Sequence, residues 1–239
     1  MQLFYASLIH ENSCILSEEE SWHCIKVLRS KVGDTIHLTD GKGSLYEGRL
    51  VNIQSKGCII EIFNTTHPNC IKSWKIHIAM APPKNADRFE WFLEKATEIG
   101  IDEITPIKCD HSERESVNMR RLEKVLITAM KQSLRTVLPT LNEPEKFRTF
   151  ISHSFEGQKF IGYCNTENDI ELHEVYQPGR PALIMIGPEG DFSPDEIALA
   201  KENGYTAVHL GKSRLRTETA GIVACHTLEL LNQMNNRKS

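Results

Sequence analysis

Apolar and polar positions alternate in short runs over the first 70 residues, then give way to longer apolar runs separated by stretches with helical spacing. In the first part the runs 35–39, 45–51 and 58–63 are divided by Asp40-Gly41-Lys42-Gly43 and by Gly57, which predicts a small β-barrel or sandwich. One helix interrupts it over 18–31: Ser17 is placed to cap it, Glu20 to complete a capping box, and Gly33 follows its end. His67-Pro68-Asn69 breaks the pattern, so a domain boundary is expected near residue 70, dividing the chain into 1–70 and 71–239.

After that boundary apolar strands alternate with amphipathic helices, the pattern of an α/β domain with a largely parallel sheet. Strands are expected at 74–81, 101–108, 160–164, 182–186 and 206–210. The helix after Pro82-Pro83 carries Phe89, Phe92, Leu93, Ala96 and Ile99 on one face and ends at Gly100. A second carries Leu122, Val125, Leu126, Ala129, Ser133 and Val137 and stops before Pro139. The last carries Ala220, Val223, Ala224, Thr227, Leu231 and Met234. Periodicity alone points to an unknotted, doubly wound sheet, in which ligands bind at the carboxyl ends of the strands.

Composition narrows the class. With 239 residues, 40% hydrophobic and 25% charged, the chain is long enough for one large or two smaller cores, and no run reaches the length of a membrane helix. The start Met1-Gln2-Leu3-Phe4-Tyr5 lacks signal-peptide features, so a cytoplasmic protein is expected. The seven cysteines are scattered singly, which argues against a disulfide framework. Cys109 and His111 could supply two metal ligands, but no second pair accompanies them, and no metal is expected. The net charge of −4 hides a basic middle: residues 71–150 carry 14 basic side chains against 12 acidic ones. Around the second helix Lys108, Arg114, Arg120, Arg121, Lys124, Lys131 and Arg135 outnumber Asp110, Glu113, Glu115 and Glu123, which suits either a polyanion partner or a solvated helix face.

Two strand-end segments carry the chemistry. The first, Ile186-Gly187-Pro188-Glu189-Gly190, runs into Ser193-Pro194-Asp195-Glu196, a helix start with an N-cap, a proline at the first helical position and a capping box. The second runs from Leu210-Gly211 through Leu215-Arg216-Thr217-Glu218-Thr219-Ala220 at another helix entry. Gly211-Lys212-Ser213 lacks the earlier glycine of a P-loop, position 206 being Thr, and no Gly-x-Gly-x-x-Gly follows any strand. The pocket is therefore expected to hold a nucleotide-like ligand of another kind.

These segments resemble the RsmE-type RNA methyltransferases of the SPOUT class. The resemblance runs through nearly the whole chain: His23 with Val27-Leu28-Arg29, Gly33-Asp34 and Asp40-Gly41-x-Gly43; then Lys84 to Arg88, Glu94 to Gly100, Gln132-Ser133-x-Arg135, Gly187 to Gly190 and Leu215 to Ala220. It implies a PUA-like β-barrel that contacts RNA, followed by an α/β domain whose C-terminal chain forms a trefoil knot. It further implies a homodimer, S-adenosylmethionine as cofactor, and methylation of uridine N3 in 16S rRNA of the small ribosomal subunit. Ile186, Gly187, Pro188, Glu189, Gly190, Leu210, Gly211, Leu215, Arg216 and Thr217 are the cofactor residues on this reading. Arg114 or Arg216 would support the anionic ring, with Glu218 orienting a proton acceptor or a loop. Lys26, Arg29, Arg88, Arg120 and Arg121 would contact RNA phosphates. The chain departs from the family at Asp191, where a second glycine is usual, at Gln2-Leu3, where a basic residue is usual, at Ser213-Arg214 and at Gly221. The alternatives are a non-catalytic RNA-binding module and a nucleotide sensor on the same fold.

Overall fold

A computed structural model describes residues 1–10, 12–54, 57–68, 72, 74–114, 116–164 and 170–236. Asn69 and Cys70, at the expected boundary, and Glu115, in the basic stretch, lie outside the described residues. The chain separates into two compact units, one formed by Met1–Ile71 with Ile127–Leu138 and the other by Lys72–Leu126 with Pro139–Ser239.

In the first unit β1 (Leu3–Tyr5), β2 (Ser13–Ile15), β3 (Thr35–Thr39), β4 (Leu45–Gln54) and β5 (Gly57–Thr66) form one sheet in the order β1-β3-β4-β5-β2. Among the described residues of this sheet only β1 and β3 pair in parallel. β4 and β5 are longer than the expected runs, and two register shifts in their pairing, at Glu47/Gly48 and Leu50/Asn52, let them bend. Inward residues at every second position, Ile36, Leu38, Leu50, Cys58, Ile60 and Ile62, join Phe4, Cys14 and Leu16 in the core.

The expected helix over 18–31 is shorter. α1 (Glu18–Trp22) passes into one π-helical stretch, His23–Val27, and the chain leaves it through Arg29 at φ 58°. Ser17 caps α1 by accepting from the Glu20 N–H, but the Glu20 carboxylate does not close the box: it pairs with Lys131. That partner belongs to Ile127–Leu138, which also binds the sheet through its main chain. The Thr136 carbonyl accepts from Gly43 N–H at 2.8 Å and Thr39 Oγ1 at 3.1 Å, and the Gly41 carbonyl accepts from Leu138 N–H at 2.8 Å.

The second unit is built on a parallel sheet of β6 (Ile76–Met80), β7 (Glu103–Lys108), β8 (Thr140–Leu141), β10 (Gln158–Gly162), β11 (Ala182–Ile186) and β12 (Thr206–Val208), ordered β12-β10-β11-β6-β7-β8, with β9 (Glu145–Lys146) also on β7. β6 and β11 are buried along their whole length, as expected of strands covered on both faces. The helices are α2 (Ala86–Ile99), α3 (Met119–Gln132), the short α4 (Phe147–Phe150) and α5 (Leu172–Val175), α6 (Pro194–Glu202) and α7 (Thr217–Asn236). No described helix is long and apolar enough to cross a membrane.

Two helices differ from their expected patterns. α3 ends at Gln132, short of Val137, because Ser133 Oγ turns back onto the Ala129 and Met130 carbonyls and Leu134 takes φ 55°. Arg135 N–H then reaches the Met130 carbonyl, a left-handed C-terminal cap built without glycine. α7 buries Thr217, Glu218, Gly221, Ala224, Cys225, Leu228, Glu229 and Asn232, a face that shares only Ala224 with the expected stripe. Glu229 accepts from Trp74 Nε1 and pairs with Lys72, while Asn232 bonds Tyr176 and the Gly179 N–H, so these polar groups are paid for inside. Gly221 is part of the same packing: a Cβ there would stand 2.1 Å from the Met80 methyl and 2.7 Å from the Phe92 ring.

Candidate functional site

The carboxyl ends of three adjacent strands, β10, β11 and β12, open into one cavity of about 660 Å³. Its walls come from Gly162-Tyr163-Cys164 after β10, Ile186 to Glu189 with Asp191 after β11, and the continuous run Val208 to Thr217 with Ala220 after β12. This size is within the usual range for small-molecule sites, and the position at strand ends is where open parallel sheets bind ligands. Glycines leave the space: a Cβ on Gly162 would stand 3.3 Å from Ile186 Cδ1 and 3.7 Å from Leu210 Cδ1, narrowing the cavity between them.

The turn after β11 is fixed from several sides. Asp191 N–H closes it onto the Pro188 carbonyl at 3.0 Å, with Asp191 at φ 63°. Ser193 and Glu196 form the complete capping box of α6. Glu196, 2% exposed, spends its other oxygen on the Asp110 N–H, and Ser193 Oγ donates to Asp110 Oδ2 at 2.7 Å. His111 Nδ1 lies 3.2 Å from the Gly190 carbonyl and 2.9 Å from that of Asp191. Both partners are acceptors, so Nδ1 carries the proton. Glu189 Oε1 takes the Lys84 N–H at 3.0 Å, tying the turn to the end of β6.

Of the residues expected to meet the cofactor, Ile186, Gly187, Pro188, Glu189, Leu210, Gly211, Leu215, Arg216 and Thr217 line the cavity. Gly190 faces away from it, where a Cβ would be 3.1 Å from His111 Cβ. Arg216 is an exposed lining residue. Arg114 is not in the wall: its guanidinium donates to the Pro83 carbonyl at 3.1 Å and the Lys84 carbonyl at 2.9 Å. Glu218 is buried, with Oε1 3.7 Å from Arg88 Nε.

Among the expected phosphate-binding residues, Arg88 is thus engaged, and Arg121 pairs with Glu90 at 2.7 Å and Asp87 at 3.8 Å. Lys26 and Arg29 on the first unit and Arg120 on the second are exposed. Sequence reasoning missed Tyr163, Cys164, Asp191 and His209 as lining residues, and gave no role to Lys212 and Arg214 within the expected second segment. The first two follow a strand end with no motif, and position in the sheet was the only available signal. Burial raises the Cys164 thiol pKa, the nearby Asp191 carboxylate raises it further, and Arg214 opposes both. The Cys109 thiol, far more enclosed, is pushed well above the usual range by burial and by Glu196 and Asp110. No cluster of three or more potential metal ligands occurs among the described residues.

Comparison with known proteins gives two family matches: an RNA methyltransferase domain over residues 71–229 and an RNA methyltransferase PUA domain over residues 16–63. The chain is 30% identical over 237 residues to the Ribosomal RNA small subunit methyltransferase E of Rickettsia conorii, covering 96% of this chain and 95% of that one. A crystal structure from Porphyromonas gingivalis, described as a "probable rRNA-methyltransferase", superimposes with a TM-score of 0.91 at 37% identity, covering 98% of this chain and 100% of that one. A Ribosomal RNA small subunit methyltransferase E from Neisseria gonorrhoeae, solved bound to S-adenosyl methionine, does so with 0.85 at 28% identity, covering 97% and 98%.

Proposed function

The chain belongs to the ribosomal RNA small subunit methyltransferase E family, and from that premise we propose that it transfers a methyl group from S-adenosylmethionine to N3 of a uridine in 16S rRNA. The observation that carries this reading is the convergence of three parallel strand ends on one glycine-walled cavity of about 660 Å³. Ile186 and Leu215 offer apolar faces for a purine, and Gly187, Pro188, Gly211 and Thr217 offer main chain that a ligand can approach closely. Glu189 and Gly190 contribute by holding the turn, through Lys84 and His111.

S-adenosylmethionine, when bound, supplies an electrophilic methyl group on a sulfonium. The protein's share is orientation and charge. Uridine N3 must lose its proton, here to solvent water, to become the nucleophile, leaving negative charge on the flanking ring carbonyls. Arg216 lines the cavity and on this reading meets that charge. Arg114 acts through the Pro83-Lys84 segment it binds, and Glu218 by holding Arg88.

RNA contacts fall to Lys26 and Arg29 on the PUA-like domain (1–70) and to Arg120 on the methyltransferase domain (71–239). Arg88 and Arg121 contribute less while their carboxylate partners compete. Two further elements belong to the same reading. A trefoil knot agrees with the path of Val208 to Thr217, which passes the ends of β10 and β11 before α7 settles on α2, β6 and β11. A homodimer agrees with the second apolar face of α7, where Leu230 is 42% and Met234 50% exposed. The setting is the cytoplasm, where ribosomal subunits are modified.

Calorimetric titration with S-adenosylmethionine, followed by mass spectrometry of 16S rRNA offered naked and as assembled subunit, tests the proposal. Cofactor binding and N3-methyluridine in either substrate are expected. A protein that bound ATP in preference would be a nucleotide sensor, and one that bound RNA without cofactor a non-catalytic module.

A further inference from the structure

One carboxylate in the cavity wall does more than the turn requires. Asp191 sits at φ 63°, where a glycine would fit without strain, so its side chain is retained at some conformational cost. Its oxygens are held by two main-chain donors from two different strand-end segments. Oδ1 accepts from Phe192 N–H at 2.8 Å, and Oδ2 from Cys164 N–H at 3.3 Å. These bonds fix the carboxylate at the cavity edge and leave lone pairs for a ligand. The other acidic lining residue, Glu189, is drawn toward Lys84, whose main-chain N–H it binds and whose ammonium also pairs with Glu113. The remaining charged lining residues, Lys212, Arg214 and Arg216, are all basic, with His209 beside them.

We propose that Asp191 is a charge selector in the cofactor pocket, favouring the cationic sulfonium donor over its neutral thioether product. The inference rests on the reading of this cavity as the S-adenosylmethionine site. Donor and product differ by one methyl group and one positive charge. Shape alone discriminates weakly over a single methyl group, whereas a fixed negative charge acts on the cation and not on the thioether. Without it, a wall bearing Lys212, Arg214 and Arg216 would repel the substrate form of the cofactor. Because two N–H groups already orient the carboxylate, it needs no rearrangement when the cofactor enters. The same selectivity speeds product departure, since the attraction ends once the methyl group and its charge have left.

Cys164 provides an internal reporter, being an exposed thiol in the same wall whose titration responds to Asp191 and Arg214 in opposite senses. Asp191→Asn removes the charge while keeping an acceptor and tolerance of positive φ; Asp191→Gly removes both charge and strain. Calorimetry with S-adenosylmethionine and S-adenosylhomocysteine on wild type and both variants is the test. Loss of the charge is expected to weaken S-adenosylmethionine binding roughly five- to tenfold, and to change S-adenosylhomocysteine binding by less than about twofold. Bound S-adenosylmethionine is expected to slow iodoacetamide labelling of the Cys164 peptide, read by mass spectrometry. In Asp191→Asn that labelling should begin at lower pH. Equal weakening of both ligands, or of neither, would overturn the inference, because a turn-shaping role affects both alike. Should Asp191→Asn fold poorly, Asp191→Gly gives the same ratio without backbone strain. Wild type that bound neither ligand would remove the cofactor reading itself, and the selector with it.

Discussion

The turn after β11 and the segment after β12 face the same cavity but are held differently. From Gly187 to Ser193 the chain is bonded to the end of β6 through Glu189 and Lys84, to the 110–111 segment through His111 and Asp110, and to the end of β10 through Asp191 and Cys164. From Gly211 to Leu215, four residues of five are exposed. A long hydrogen bond ties this stretch to the first wall, from Arg214 Nη2 to the Glu189 carbonyl at 3.5 Å. The first wall is held by hydrogen bonds within the protein, and the second is expected to take its shape around the ligand. A pocket made this way gains fixed dipoles from the first wall and a closing element from the second.

Substitutions in the two walls should therefore separate stability from affinity. The largest effect is expected from Glu196→Ala, which strips acceptors from both Asp110 N–H and Ser193 N–H in a buried place. A loss of about 3 kcal/mol in urea denaturation is expected, and a loss near zero would mean that the wall is not fixed by this network. Acid should weaken the second unit at the opposite ends of the same strands. His77 on β6 is buried against Phe150 and Phe155, and burial pushes its pKa down to about 4, with Glu103 opposing. The unfolded chain binds this proton near pH 6.5 and the folded one only near 4. Stability is thus full above about 6.5 and declines by up to about 1.4 kcal/mol per pH unit between these values. Urea midpoints at pH 7 and 4.5 should differ less in His77→Gln than in wild type.

On the open wall, Gly211→Ala meets no atom within 4 Å but must adopt φ 118°, which costs on the order of 1 kcal/mol. Weaker S-adenosylmethionine binding is expected, with no more than about that loss in urea denaturation; a loss as large as that of Glu196→Ala would mean that this segment is as firmly prearranged as the first wall. The smallest effect is expected from Lys212→Ala, within about 0.5 kcal/mol in stability. Amide exchange at 211–215 should nonetheless be fast in the free protein and slow once cofactor is added.

At several points of local punctuation, sequence and structure agree. The Ser193 box, the Gly100 cap and the strands 35–39 and 182–186 are present as expected. The two cavity segments were visible because glycine, proline and a helix cap mark them. Other features depend on partners far away in sequence. The buried face of α7 includes Glu229 and Asn232, satisfied by Trp74 and Tyr176, and polar residues in a core do not register in a hydrophobic pattern. Glu20 looked like half of a capping box, yet its partner is Lys131. β1 and β2 are three residues each, too short for alternation to be read. The identity of the ligand was in no periodicity at all; it came from family resemblance.

The order of the parallel sheet has a consequence for how the protein is made. β10 lies between β11 and β12, both later in the chain, and the apolar face of α2 is covered by α7, which begins at Thr217. At a synthesis rate of about 5–20 residues per second, Phe89, Phe92 and Ala96 wait several seconds for the helix that shields them. Non-local pairing of this kind folds slowly. The nascent second unit is therefore expected to engage chaperones until its last helix has left the ribosome.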